Sequence, residues 1–254
     1  FNGCGGIDEL VLPSSVEYIG SKAFSNTKAY DKFFESVETA KENVFKIVNN
    51  ILVWTYVPNG STGISVPDGV RMIAGGACAG WDNAVVPTTP EGLRLSWRSK
   101  YNISNAVTKI EIPESVEVIG DNSFYNLKAV KQMTIPGNVK SIGDSAFDFC
   151  SGLEKVTIEE GVEEINSGAF SSCTSLVSVS LPSTLEYIGS GAFASCQMLK
   201  SLAAPQKMTE IGTSVFDSMC TSLETVYLPE MFRPNIFGIM GDLSVNTKVM
   251  YYNE

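Results

Sequence analysis

The 254-residue chain contains no histidine. That excludes Ser-His-Asp and Cys-His nucleophilic catalysis and removes the commonest zinc ligand. Positive charge is scarce as well: 18 Lys and Arg stand against 28 Asp and Glu, a formal net charge of −10. Phosphate contact needs clustered Lys or Arg, so nucleic-acid binding is not expected. No apolar run approaches the roughly 20 residues that span a bilayer, so no membrane-spanning segment is expected in this chain. A phosphate-binding loop is missing too, because GCGG (3–6) and AGGACAG (74–80) lack the Lys and the strand-to-helix setting. No catalytic group, metal or cofactor is expected.

What is present is a repeat. SVEVIGDNSF (115–124) returns as NVKSIGDSAF (138–147), GVEEINSGAF (161–170) and TLEYIGSGAF (184–193), a period of 23 residues. Pro113, Pro136, Pro182 and Pro205 open units, Glu159 takes the Pro place in one, and Pro229 follows one residue late. The unit reads P-x-x-V-x-x-I-G-x-x-A-F-x-x-C-x-x-L-x-x-V-x-I/L. Such periods specify a solenoid, because one unit cannot bury its own apolar face and must stack on its neighbours.

The N-terminal half keeps the ruler less well. Pro13 and Pro67 open recognisable copies, and the 46 residues from Pro67 to Pro113 are twice 23, which predicts a worn copy from Pro90. Leu93, Tyr101, Val107, Ile110 and Ile112 fit it. Phe1, Cys4, Leu10 and Leu12 also fall in register as a partial repeat (1–12), so the chain is expected to begin inside a repeat, with something N-terminal lost or removed. Residues 28–66 are an insertion: Tyr30, Phe33, Phe34, Val37, Val44 and Val48 recur at helical spacing, predicting an amphipathic helix over 28–50 laid against the stack, and a hairpin follows. After Pro229 the pattern lapses until KVMYY (248–252), which predicts a closing cap over 230–254.

Within a unit, L-x-x-V-x-I alternates and predicts a short strand with one buried face, and V-x-x-I a second extended piece. Gly20, Gly120, Gly143, Gly189 and Gly212 share one position, with Asn166 replacing Gly once, which predicts a left-handed bend there. The Ser or Asp beside it is expected to cap a short helical turn carrying the buried Phe. Cys150, Cys173, Cys196 and, one residue late, Cys220 share a column with Cys4. They are expected to be buried, reduced core thiols, with Cys78 a core filler in the Phe place. Replacement of these thiols by Ser is expected to strand a buried hydroxyl. Glu163 and Glu186 occupy equal places on adjacent rungs, where rungs lie about 4.8 Å apart. The column Arg94, Glu117, Lys140, Glu163, Glu186 carries both signs, the pattern of a solvated, charge-compensated face.

The copies around IPGNVKSIGDSAFDFCSGLEKVTI (135–158) resemble the leucine-rich repeats of the BspA-like, Treponema pallidum-type family. The resemblance is strong from about 105 to 229, and NNILVWTYVPNGSTGISVPDGV (49–70) looks like that family's hairpin-bearing unit. It implies one right-handed leucine-rich-repeat superhelix over 1–254, with short parallel strands and brief helical turns. It also implies a secreted or surface-attached bacterial protein that adheres to host or cell-surface proteins, without enzymatic activity.

If Val156 and Ile158 face inward, Lys155 and Thr157 face outward. The matching places are Lys109 with Glu111, Gln132 with Thr134, Ser178 with Ser180, Ser201 with Ala203, and Thr225 with Tyr227. Lys109, Gln132, Thr134, Lys155, Thr157, Ser178, Ser180 and Tyr227 are therefore the candidate ligand-binding residues on a concave sheet. The alternatives are a glycan-binding or glycan-active module, for which Tyr18, Trp97, Tyr187 and Tyr227 are candidate stacking groups, and an architectural spacer.

Overall fold

The computed structural model describes residues 4–20, 23–24, 27–37, 39–58, 60–79, 105–241 and 247–252. Strands pair in parallel between successive units, and through the regular copies each residue lies opposite its equivalent 23 positions away: Lys155 faces Ser178, and Glu164 faces Tyr187. Two kinds of strand alternate along the chain. The L-x-x-V-x-I segments form β3 (Gly63–Ser65), β5 (Lys109–Glu111), β7 (Gln132–Ile135), β9 (Lys155–Ile158), β11 (Ser178–Ser180), β13 (Ser201–Ala203) and β15 (Thr225–Pro229). The V-x-x-I segments form two-residue strands: β4 (Met72–Ile73), β6 (Val118–Ile119), β8 (Ser141–Ile142), β10 (Glu164–Ile165), β12 (Tyr187–Ile188) and β14 (Glu210–Ile211). The short strands run in one eight-stranded sheet that begins with β1 (Val44–Val48) and β2 (Ile51–Tyr56); the longer ones form three ladders, β3-β5, β7-β9-β11 and β13-β15-β16, the last strand being Lys248–Tyr252. This is a leucine-rich-repeat solenoid with parallel strands and little helix.

Between the strands lie hydrogen-bonded turns rather than helix, and these also pair between rungs: the N–H of Phe124, Phe147 and Phe170 donates to the carbonyl of Ala146, Ala169 and Ala192. Inside them Phe124, Phe147, Phe170 and Phe193 stack with centroids 5.2, 5.3 and 5.6 Å apart and ring planes within 6°. Each is fully buried, which contributes about 1.5–3 kcal/mol of apolar transfer per side chain. The step to Phe216 widens to 6.3 Å and 23°, next to the extra residue between Phe216 and Cys220.

Three expectations need correction. The worn copy predicted from Pro90 does not form a rung of its own. β3 pairs directly with β5 (Ile64 opposite Ile110) and β4 with β6 (Ile73 opposite Ile119), across 46 residues. Residues 67–79 supply the first half of that rung, and Val107, Ile110 and Ile112 the second; Leu93 and Tyr101 lie outside the described residues, as do Phe1 and Trp97. Secondly, the helix α1 covers only Lys28–Val37. Thr27 starts it by accepting the Tyr30 N–H at 3.2 Å, and Tyr30 and Phe33 pack on Trp54. Val44 and Val48, expected on the same helix, instead lie in β1, which pairs antiparallel with β2.

Thirdly, the recurring glycine is not left-handed. A Cβ at Gly189 would sit 2.4 Å from the Ser167 nitrogen, and one at Gly212 2.4 Å from the Ser190 nitrogen. The constraint is the close approach of the preceding rung's backbone. The left-handed residue comes two places later, at Asn122 (φ 54°), Ser145 (52°), Gly168 (63°), Gly191 (65°) and Ser214 (46°). Nor does the Asp beside the glycine cap its own turn: Asp121 and Asp144 accept the N–H of Asp144 and Ser167 on the following rung, at 2.9 Å each.

At the C-terminal end, a 3-10 turn (Glu230–Asn235) and α2 (Ile236–Met240) lead to β16, which pairs in parallel with β15. The expected return of KVMYY to strand register holds.

Gly189→Ala is expected to lower stability by about 3 kcal/mol, a Tm loss of roughly 6–12 °C. Gly6→Ala, with nothing within 4 Å of its new Cβ, is expected to change Tm by less than about 2 °C. Thermal denaturation of the two variants checks this; equal losses would refute the close-approach account.

Candidate functional site

The longer strands alternate as the pattern requires. Ile110, Met133, Val156, Leu202 and Val226 are buried, while Lys109, Gln132, Thr134, Lys155, Ser178, Ser180 and Tyr227 are exposed and Thr157 is half-buried. Registry places the outward groups in two columns. Gln132, Lys155 and Ser178 are direct neighbours in one, and Thr134, Thr157 and Ser180 in the other. Ala203, Tyr227 and Met250 continue the second column beyond a break between β11 and β13, which lie side by side without a paired ladder.

Over β5, β7 and β9 the surface sinks into an open groove of about 560 Å³ that includes Lys109, Gln132, Thr134, Lys155 and Thr157 in its lining. Five of the eight sequence-predicted residues thus converge, whereas Ser178, Ser180 and Tyr227 lie further along the sheet. At one end Lys109 pairs with Glu111, which also accepts the Ser65 hydroxyl. These two contacts, the ammonium first, hold the Glu111 carboxyl below its ordinary value. Lys155 has no ion-pair partner among the described residues. At the other end Tyr227 stacks on Tyr252, centroids 6.0 Å apart. Met250 and Tyr252 were legible only as alternate places in KVMYY, where the outward parity of Tyr227 carries across the β15–β16 register.

The glycan-stacking candidates do not gather. Tyr18 bonds to Asp121, and Tyr187 lies in β12 on the other sheet, away from Tyr227. Along that second sheet Lys140 pairs with Glu163 at 2.9 Å and Arg71 with Glu117 at 3.6 Å. Lys140 and Glu163 compensate each other as expected of this column. Next to Glu117 stands Arg71, because the Pro67 rung adjoins directly, and Arg94 lies outside the described residues.

Cys78, Cys150, Cys173, Cys196 and Cys220 are free and buried; Cys4 is exposed and stands outside the thiol column. The thiols of Cys150, Cys173 and Cys196 each donate to a Phe carbonyl of the preceding rung, at 3.2, 3.3 and 3.3 Å. A Ser replacement would therefore find an acceptor, contrary to expectation. Burial pushes the thiols of Cys78 and Cys150 up to about 12.

A stack of parallel-stranded rungs with one hydrophobic column and one solvent-facing sheet defines the leucine-rich-repeat class. The sequence profile of the BspA type leucine rich repeat region, six copies, matches residues 1–71 and 98–233, and the chain belongs to that family. No curated protein matches. Among solved structures, the chain is similar to a Treponema pallidum leucine-rich-repeat protein (24% identity, TM-score 0.43, 75% of this chain and 70% of that one). It is also similar to a leucine-rich cell-surface protein of Faecalibacterium prausnitzii (18%, 0.44, 76% and 60%) and to a leucine-rich-repeat protein of Eubacterium ventriosum (20%, 0.46, 86% and 65%). The chain thus spans 60% of the Faecalibacterium protein's length.

Iodoacetamide is expected to label Cys4 in the native protein and the five buried thiols only after denaturation, as read by mass spectrometry. The raised thiol values also set a pH dependence. Below about 9.0, the ordinary value, folded and unfolded thiols are both neutral and their contribution is complete. Between there and about 12 the Cys150 thiol ionises only in the unfolded chain, so its contribution falls by up to about 1.4 kcal/mol per pH unit. The raised thiols of Cys173 and Cys196 act in the same direction. The double variant Cys150→Ala with Cys173→Ala should be less stable at neutral pH and show a shallower alkaline slope in denaturant titrations.

Proposed function

We propose that the chain is a non-enzymatic recognition module of a secreted or cell-surface protein, and that the sheet from Lys109 to Tyr227 binds a macromolecular partner. The observation that carries this reading is the outward face itself. Across β5 to β15 its outward places are mostly small hydroxyls with a few long polar groups, and a groove of about 560 Å³ lies at one end. Small side chains lose little rotamer freedom on binding and leave the backbone approachable. The family and the surface location of one structural relative support the placement outside the cell. A protein partner fits better than a glycan groove, because the candidate stacking groups Tyr18, Tyr187 and Tyr227 do not converge.

The test is a solid-phase binding panel of extracellular-matrix and cell-surface proteins, run beside a glycan array. The variant Thr157→Arg with Ser180→Arg places bulk at the centre of the face. It is expected to lower affinity for any ligand found by tenfold or more while leaving circular dichroism and Tm unchanged. Retained affinity, with loss on deletion of residues 28–50, would move the site to the inserted helix and hairpin.

A further inference from the structure

The chain carries 28 carboxylates, yet none of the outward residues from β7 to β16 is one. In registry order these are Gln132 and Thr134, Lys155 and Thr157, Ser178 and Ser180, Ser201 and Ala203, Thr225 and Tyr227, then Lys248, Met250 and Tyr252. The nearby carboxylates lie beside these strand positions: Glu111, Glu114 and Glu159 line the groove that Lys155 also lines, Glu154 is held by Lys131 at 2.9 Å, and Glu224 precedes β15. The two charges on the face itself, Lys155 and Lys248, are both positive, and neither has an ion-pair partner among the described residues. In a molecule of net charge −10, the outward places of these strands carry positive charge alone.

Its far end is apolar. Met250 is 49% and Tyr227 38% exposed, and Tyr227 is stacked on Tyr252 with the rings 15° from parallel. Each ring covers a face of the other, so the pair presents edges and a neighbouring thioether. Aromatic rings and Met are the side chains that anchor protein interfaces.

We infer that the face from Lys155 to Lys248 takes an acidic protein segment that places an aromatic or aliphatic side chain against Tyr227, Met250 and Tyr252 and carboxylates on the two lysines. This rests on the sheet being the binding face. Strand order sets the spacing. Tyr227 lies three rungs from Lys155 and Lys248 one rung further, roughly 14 and 19 Å at the usual strand separation. An extended segment crossing the rungs covers about 3.3 Å per residue, so an acidic residue falls roughly four places from the apolar anchor, with a second acid just beyond it. The chain's overall negative charge repels polyanions at long range, so capture of an acidic ligand requires this local exception.

The experiment is selection from a random linear-peptide display library on the intact chain, followed by fluorescence polarisation of the enriched peptides. Peptides with acidic residues about four places from an aromatic or aliphatic residue are expected. Their affinity should fall at least tenfold with Lys155→Glu plus Lys248→Glu, fall severalfold with the milder Lys→Ala pair, fall with Tyr227→Ala, and weaken as salt is raised. Tm and circular dichroism should be unchanged in every variant. Enrichment of neutral or basic peptides that Ser180→Arg nevertheless removes would overturn the acidic partner and leave the sheet as the site. Acidic peptides indifferent to Ser180→Arg and to both lysine pairs would overturn the sheet reading with it. Alginate, a polyuronate, binding as tightly and with the same lysine dependence would overturn the choice of protein over acidic polysaccharide.

Discussion

Everything in this molecule depends on backbone pairing between consecutive rungs. The main chain of one rung hydrogen-bonds to the next on both sheets and through the turns between them. Each buried amide left unpaired costs about 1–3 kcal/mol, as much as burying a large side chain returns, so each rung must present the same outline as the one before. Side chains that break the outline are excluded, which is why a Cβ has no room at Gly189. Side chains that respect it line up, giving a column of stacked phenylalanines and a column of thiols aimed at phenylalanine carbonyls.

The same rule makes the core legible in the sequence and parts of the periphery illegible. The 23-residue period placed Phe147, Phe170 and Phe193 inside and Lys155 and Thr157 on the outward face, and the structure agrees. Misreadings came where spacing is a weaker constraint than contact. The interval from Pro67 to Pro113 is a whole multiple of the period, so a chain that contributes one rung looks in the sequence like two. Helical spacing over 28–50 mixed a real helix with a β-strand, because Val44 and Val48 satisfy both periods within so short a stretch. The glycine column correctly marked a backbone demand, but composition does not tell positive φ from lack of space. Only the neighbouring rung, absent from any local window, decides that.

The outward sheet differs because nothing in the stacking constrains it. Alternate residues on each strand are free to vary, and here most are hydroxyls, with Lys155 and Lys248 left unpaired among the described residues and Tyr227 stacked on Tyr252. The second sheet shows the contrast. Its exposed column is tied up in ion pairs such as Lys140 with Glu163, worth at most about 1 kcal/mol at such exposed sites. Charges that neutralise one another serve solubility and registry. Charges left single on a flat face remain available to something else.

The widened step between Phe193 and Phe216 has a mechanical meaning. In a linear stack each rung is held only by its neighbours, so the chain of contacts is as strong as its poorest junction. One surplus residue before Cys220 opens the ring spacing to 6.3 Å and tilts the planes. One rung earlier, the ladder between β11 and β13 is interrupted. Together these act like a dislocation in a crystal: a fault in one part of a lattice that otherwise continues. The short-strand sheet runs unbroken through β10, β12 and β14, and the Phe193 N–H still reaches the Val215 carbonyl at 2.9 Å. The fault is thus confined to the ring column and the outward sheet, while the rest of the stack carries the load across it.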